Sequence, residues 1–353
     1  MNKIKNIFGA IIIVFLLLLL FYLLGFSYIE PSVKKFEKRN LDLNLWNADG
    51  DIGNIEYYFI FDKNSKTLNI ERDKNGIFYR LKKNFDPKKY VFDSDKDTLY
   101  MPTDMSAQII LDFNQFKISS DPAYLADIEI MKKWLLENVV FKDSLAFWRQ
   151  PAGFNKYGLE TGWTGAWAIG NQLSALARLY QLEPSEEIKI LTEKLINNLK
   201  VEVKNGGTAS FDENGNIRFE EYPSVPANSV LNGHINACLG LYDFWRVSSD
   251  PEAKKLFEAG VKTVAESLDE YDAGYWSFYD GKYSYICDYK YHNGVHVPQL
   301  KILYQITGKE IFKTYYLKWE NYNNEPYFSL AKIKMLLDAF SRRLKYKSIF
   351  TRG

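Results

Sequence analysis

The feature that most constrains this chain is a run of amphipathic helical patterns that begins after Asp121-Pro122 and continues to the carboxyl end. In YLADIEIMKKWLLENVVF, Leu125, Ile128, Trp134 and Leu135 fall near one face at helical spacing. AIGNQLSALARLYQL repeats that spacing with Leu173, Leu176 and Tyr180, and Pro184 and Ser185 open a segment carrying Ile188, Leu191, Leu195 and Leu199. Asp250 suits the cap of a further helix, with Pro251 at the first position, where a missing amide costs nothing. Thr307 to Glu310, with Ile306 ahead, reads as a capping box, and PYFSLAKIKMLLDAFSRRLKYK closes the chain. Long polar and aromatic loops such as WRQPAGFNKYGLETGW and KNGGTASFDENGNIRFEEYP separate the helices, without the strict repeat of a solenoid. Paired helices with such loops predict an (α/α) barrel over residues 121–353, its loops gathered at one open end.

Upstream the period changes. EYYFIFD, KTLNIERDKNGIFYRLKK, KKYVFD, TLYMP and SAQIILDFNQFKIS read as strands, with Asn75-Gly76 suited to a tight primed hairpin turn. Residues 52–120 are therefore expected to form an antiparallel β domain, so the fold class is mainly α with a smaller β part. Asn6 to Ile29 carries no charge, and Ile11 to Leu24 is almost unbroken Ile, Val, Leu and Phe. At about 1.5 Å per residue that is long enough to span a bilayer. Residues 1–30 are expected to be a single-pass membrane anchor and 31–51 a stalk, with the catalytic part extracytoplasmic.

Lys and Arg number 45 against 44 Asp and Glu, so the whole-chain field gives no reason to expect nucleic acid. The 25 Tyr and 24 Phe exceed what a core needs and suit carbohydrate, whose C–H faces stack on rings. Cys238 and Cys287 cannot build a disulfide framework or a zinc site, and two free thiols are expected over the alternative of a single bridge between them. No P-loop, G-x-G-x-x-G after a strand, H-E-x-x-H or G-x-S-x-G is present. Three histidines argue against a His-rich metal centre. His292 and His296 are four apart, but Gly294 and Pro298 favour entry from a loop into a helix and hydrogen-bonding roles.

What remains is tyrosine with carboxylates between Phe219 and Leu300. Tyr222 follows Glu220 and Glu221 and precedes Pro223, which keeps it extended. Tyr279 lies in SFYDG, and Tyr289 and Tyr291 flank Lys290 just before His292. Any one such tyrosine is more often a half-buried ring with a backbone partner, so the joint pattern has to carry the argument.

That pattern resembles a known family. EEYPSVPANSVLNGHINACLGLYDF, LFEAGVKTVAESLDEYDAGYWSFYD, and DYKYHNGVHVPQL with ITGKEIFKTYYLKWENY look like the carboxyl-terminal domain of the D-glucuronyl 5-epimerases. GWTGAWAIGNQLSALARLYQL extends the match, which covers roughly residues 160–322 and is most specific from Tyr222-Pro223 to Asn232-Gly233. These enzymes convert D-glucuronate to L-iduronate within heparosan and heparan sulfate. The resemblance implies a β part, a helical barrel, an anchor before both, and a homodimer acting on an acidic polysaccharide. The family's catalytic tyrosine beside a glutamate falls on Tyr222 with Glu221, and its second tyrosine on Tyr279. The third belongs to a D-Y-H-x-x-H-x-x-Q-L pattern. This chain has one extra residue between His292 and His296, which leaves Tyr291 with Tyr289 as its alternative. Asn232, His292, His296 and Tyr289 are expected to contact substrate.

Inverting carbon 5 requires removal of a proton alpha to a carboxylate and reprotonation from the opposite face, which calls for two groups. Tyrosine, with an ordinary pKa of about 10, can serve as base when cations favour its phenolate and as acid when neutral. The enediolate-like intermediate needs donors or cations already in place, and Lys156, Arg178, Arg218 and Lys290, in or near the loops, are the candidates. No cofactor and no metal are required. A uronate polysaccharide lyase shares the first step but expels the group at carbon 4. A catalytically inactive membrane-anchored glycan-binding protein would keep the same aromatics. Basic clusters suited to dense sulfate are not evident, which favours a non-sulfated or lightly sulfated chain.

Overall fold

The computed structural model describes Leu16, Leu19 and residues 70–92, 95–281 and 285–350. The anchor expected over residues 1–30 (Leu16 and Leu19 aside), the stalk over 31–51 and the start of the β domain, 52–69, lie outside the described residues. Among the described residues no helix is long and apolar enough to cross a membrane. The chain forms two compact units, the first ending at Ser267 and the second beginning at Leu268, a division inside the stretch expected as one barrel.

The first unit opens with the hairpin of β1 (Ile70–Arg72) and β2 (Phe78–Leu81), antiparallel as the sequence predicted. Its turn is wider than the two-residue primed form. The Gly76 amide donates to the Asp73 carbonyl and Gly76 takes φ +83°, while the Asp73 carboxylate accepts from the Asn75 and Ile77 amides. A turn followed by a left-handed glycine is the bulged solution for a longer loop. β3 (Tyr90–Val91) stands outside that sheet, whereas β4 (Thr98–Leu99) pairs with β2.

Residues 106–119, expected as strand, lie instead in the helix α1 (Pro102–Ser119). Pro102 fits the first turn, and Met105, Ile109 and Phe113 recur every fourth residue and are buried, so helical burial overrides the β-branched local preference. Arg80 on β2 grips the buried Asp104 of α1 with two bonds of 2.7 and 2.6 Å. Five further helices follow: α2 (Ala123–Asn138), α3 (Ala166–Leu182), α4 (Glu186–Asn197), α5 (Leu231–Ser248) and α6 (Pro251–Ser267). α1, α3 and α5 are buried along most of their length and pack side by side, α1 on α3 and α3 on α5. α2, α4 and α6 lie on them and bury only one face, such as Ile128, Met131 and Leu135 in α2. The sequence pattern is thus realised as an inner and an outer layer.

The helix ends bear out two of three expectations. The Ser185 hydroxyl accepts from the Ile188 amide and the Asp250 carboxylate from the Ala253 amide. The capping box at Thr307 does not form. Thr307 is the last residue of the preceding helix, where its hydroxyl bonds the Leu303 carbonyl, and left-handed Gly308 ends that helix. Three two-stranded ribbons fill the loops of this unit: β5 (Val140–Lys142) with β6 (Leu145–Phe147), β7 (Gly153–Phe154) with β3, and β8 (Ala209–Phe211) with β9 (Ile217–Phe219).

The second unit runs through a bridged loop (Asp272 with Ser277, Phe278 with Ile286) into a short helical turn, Tyr289–Tyr291, and a π-helical turn, His292–His296. Helices α7 (Val297–Thr307), α8 (Glu310–Asn321) and α9 (Tyr327–Phe350) complete it around buried Trp276, Leu300, Leu303, Phe312 and Trp319.

Candidate active site

In the first unit Glu220, Glu221 and Tyr222 leave β9 just before α5. The Glu220 carbonyl accepts from the Ala166 amide at the start of α3. Its carboxylate is fully buried and organises the next loop, accepting from the Ser210 hydroxyl at 2.5 Å and from the Asn228 and Ser229 amides at 3.3 and 2.9 Å. Asn228 in turn donates to the Tyr222 carbonyl at 2.8 Å. His234 of α5 ties the strand down from below. Its Nδ1 accepts from the Phe219 amide, so its Nε2 donates to the Gly260 carbonyl of α6.

Glu221 is clamped by two glycines. A Cβ on Gly165 would lie 1.8 Å from the Glu221 carbonyl oxygen, and one on Gly233 would lie 2.4 Å from the Glu221 Cβ. Only glycine lets α3 and α5 begin this close to the glutamate. The Asn232 amide donates to Glu221 Oε2 at 2.9 Å, and the first turn of α5 puts the positive end of a helix dipole beside the carboxylate. Asn232, expected to contact substrate, is 2% exposed and is placed to hold Glu221 instead.

Tyr222 is half-buried in an aromatic nest. Its ring stacks on Tyr157 at 4.0 Å and 14°, with Phe154 edge-on at 5.3 Å and Trp163 at 5.8 Å. The Lys156 ammonium donates to the Tyr157 hydroxyl at 2.6 Å. Tyr157, Trp163 and Glu220 are the residues that sequence reasoning missed. Tyr157 and Trp163 lie some sixty residues before Tyr222 in what reads as a loop, and Glu220 is indistinguishable from Glu221 without the fold.

Two expected cations are structural. Arg178 lies inside α3 rather than in a loop and is fully buried; it pairs with the equally buried Asp243 of α5 at 2.9 Å, with Ser174 sharing the network. A guanidinium so enclosed does not reach a ligand from a loop. Arg218 on β9 is 7% exposed, with Asp212 at 3.9 Å.

The second unit has its own cluster. Tyr279 and Tyr291 are half-buried and meet edge to face at 5.4 Å, whereas Tyr289 packs on Trp276 and Phe328. Tyr291 is thus in ring contact with Tyr279. Asp288 caps the short turn by accepting from the Tyr291 amide, and Lys290 is exposed. The π turn resolves the extra residue between the histidines, because such a turn absorbs a one-residue insertion in a helix. Both Nδ1 atoms still reach one hydroxyl, Ser277 Oγ, at 2.9 Å from His292 and 3.0 Å from His296. His292 Nε2 donates to the Trp319 carbonyl at 2.9 Å. Both rings are fully buried, so these expected substrate contacts serve the core. Burial lowers His292 to about 4 and His296 to about 3, as it lowers His234 to about 4, so all three are neutral at pH 7. Among the described residues no group of His, Cys, Asp and Glu is arranged to hold a metal ion, and both cysteines are free and buried.

These features define a mainly helical protein with small sheets, whose loops present tyrosines beside a held carboxylate, an arrangement suited to general acid–base chemistry. Residues 142–321 match the family described as D-glucuronyl C5-epimerase C-terminus, and the chain belongs to that family. It is 34% identical over 175 residues to an uncharacterized protein of Methanocaldococcus jannaschii, a match covering 49% of this chain and 56% of the relative. It is 28% identical over 211 residues to the D-glucuronyl C5-epimerase of Caenorhabditis elegans, covering 54% of this chain and 33% of that enzyme. The chain thus spans about half or less of the length of these relatives. Among solved structures it is similar to the cellobiose 2-epimerase of Bacillus thermoamylovorans, with TM-score 0.48, 14% identity, and coverage of 71% of this chain and 66% of that one.

Proposed function

We propose that this chain is a polysaccharide uronate 5-epimerase, an isomerase that converts D-glucuronate to L-iduronate in a heparosan-like chain. The observation that carries the reading is Glu221, clamped by Gly165 and Gly233 and bonded by Asn232, directly before half-exposed Tyr222 stacked on the lysine-bonded Tyr157. In this reading one tyrosine takes the carbon-5 proton, the electrons pass into the carboxylate to give an enediolate-like dianion, and a second tyrosine returns a proton to the opposite face. Tyr222 is one of the pair; for the other, the family resemblance alone offers Tyr279 or Tyr291. Glu221 orients or tunes the phenol beside it, and Lys156 supplies positive charge next to Tyr157 that favours an anionic intermediate. Proton exchange needs no cofactor. The same reading takes the two helix layers as part of an (α/α) barrel, the apolar stretch of residues 1–30 as a membrane anchor with the catalytic part extracytoplasmic, and the working form as a homodimer.

The test is incubation of the protein with heparosan in deuterated water, followed by NMR. The expected result is deuterium at carbon 5 together with iduronate, and loss of both in Tyr222→Phe with an unchanged circular dichroism spectrum. Full turnover by Tyr222→Phe would remove Tyr222 from its role. An unsaturated, ultraviolet-absorbing product would replace the epimerase with a lyase.

A further inference from the structure

Tyr222 is the end of a longer row of rings, all within the first unit. Phe154 lies 5.3 Å from Tyr222, and Tyr90 stacks on Phe154 at 5.2 Å and 12°, the two being cross-strand partners in the β3–β7 ribbon. Phe85 meets Tyr90 at 5.3 Å, and Phe92 meets Phe85 at 5.6 Å. These five rings are half-buried, so each keeps part of its surface open to solvent. Cross-strand stacking explains the contact of Tyr90 with Phe154, but a ladder of two residue pairs needs no row of rings extending beyond both its ends.

Lysines accompany the row. The segment KKNFDPKKYVF carries Lys82, Lys83, Lys88 and Lys89 with Asp86 between the two pairs, and Asp93, Asp95 and Asp97 follow it in the sequence. Lys82 Nζ sits 5.7 Å over the Phe92 ring. Lys88 and Lys89 are exposed, and among the described residues neither is in an ion pair. Their loop is fastened to the turn that bears Lys156: the Lys89 carbonyl accepts from the Asn155 amide at 2.9 Å, and the Lys88 carbonyl from the Asn155 side chain at 3.2 Å. The tertiary structure thus sets the Lys88–Lys89 pair beside the turn that bears Lys156.

We propose that this row is an extended binding track for an anionic glycan, running from Tyr222 over Phe154, Tyr90, Phe85 and Phe92 and flanked by Lys82, Lys88 and Lys89. The parts of these rings left open to solvent meet the C–H faces of the polymer's sugars, while the lysines meet their carboxylates. Only Phe154 and Tyr222 fall inside the family match of residues 142–321, so the far end of the track belongs to this chain's own amino-terminal part. The track rests on the epimerase reading for the identity of the polymer, but not for its charge or length.

The experiment measures binding of the full chain to short and long unsulfated heparosan fractions by calorimetry at low and moderate salt. The wild type is expected to bind the long fraction more tightly, with a gain that salt reduces. Lys88→Glu with Lys89→Glu should weaken long-chain binding about 10-fold or more and collapse the ratio of long to short affinity, since two exposed charge contacts become repulsive. Phe92→Ala, checked for an unchanged melting temperature, should reduce that ratio several-fold through the ring alone. A wild type without length dependence, or a ratio unmoved by both variants, overturns the track. Length-dependent, lysine-dependent binding without carbon-5 exchange would keep the track and overturn the epimerase; exchange with an unmoved ratio would do the reverse.

Discussion

Glu221 shows how a single position depends on what its neighbours lack. Its carboxylate is placed by absent Cβ atoms at Gly165 and Gly233 as much as by the Asn232 amide. Gly233→Ala inserts a carbon 2.4 Å from the Glu221 Cβ, so Glu221 or the start of α5 must move. The expected outcome is about a 100-fold loss of carbon-5 exchange, with a stability cost of about 1–3 kcal/mol. Deuterium NMR and chemical denaturation check the two parts separately. Arg178 gives the opposite lesson. As a substrate contact, its replacement would affect turnover and leave stability alone. As the buried partner of Asp243, its change to Met should cost about 3–5 kcal/mol, because an uncompensated carboxylate stays in the core. Urea unfolding distinguishes the two roles. Both residues were visible in the sequence, but a buried charge and a loop charge look alike until their surroundings are known.

At the scale of elements, the crossing of α3 and α5 is set by glycine. A Cβ on Gly170 would lie 2.4 Å from the Asn236 carbonyl oxygen, and one on Gly240 would lie 2.4 Å from the Gly170 carbonyl oxygen. The helices therefore touch backbone to backbone, and this contact holds the two helix starts that clamp Glu221. Gly170→Ala should destabilise the protein by at least about 1–3 kcal/mol even though alanine is the better helix former, and thermal unfolding checks the sign. The helices from Ala123 onward were legible because their apolar period survives in the sequence. α1 was not, because Ile109, Ile110 and Phe113 suit a strand as well as a buried helix, and only the neighbouring α2 and α3 decide. The capping box failed for a related reason. Thr307 had two helices to serve, and the one before it took the hydroxyl.

For the molecule as a whole, the three histidines couple folding to pH. Each is buried neutral, with folded values of about 4, 4 and 3, against about 6.5 in an unfolded chain. Between those limits the unfolded form binds more protons, so stability is full above about pH 6.5 and falls as the pH drops toward 4. The slope should approach about 1.4 kcal/mol per pH unit for each histidine. Melting temperatures from pH 7 to pH 4 check it, and His234→Gln should flatten the curve if it folds. The helical class of the larger part, the hairpin at Gly76, the Ser185 and Asp250 caps and the family were legible in the sequence, since each rests on local spacing or on contiguous motif residues. Packing between distant parts of the chain made residues 102–119 helical, put His292, His296 and Arg178 in the interior and Asn232 against Glu221, and brought Tyr157 and Trp163 around Tyr222. Those outcomes depend on what packs against each side chain from distant parts of the chain, and local sequence carries no record of that.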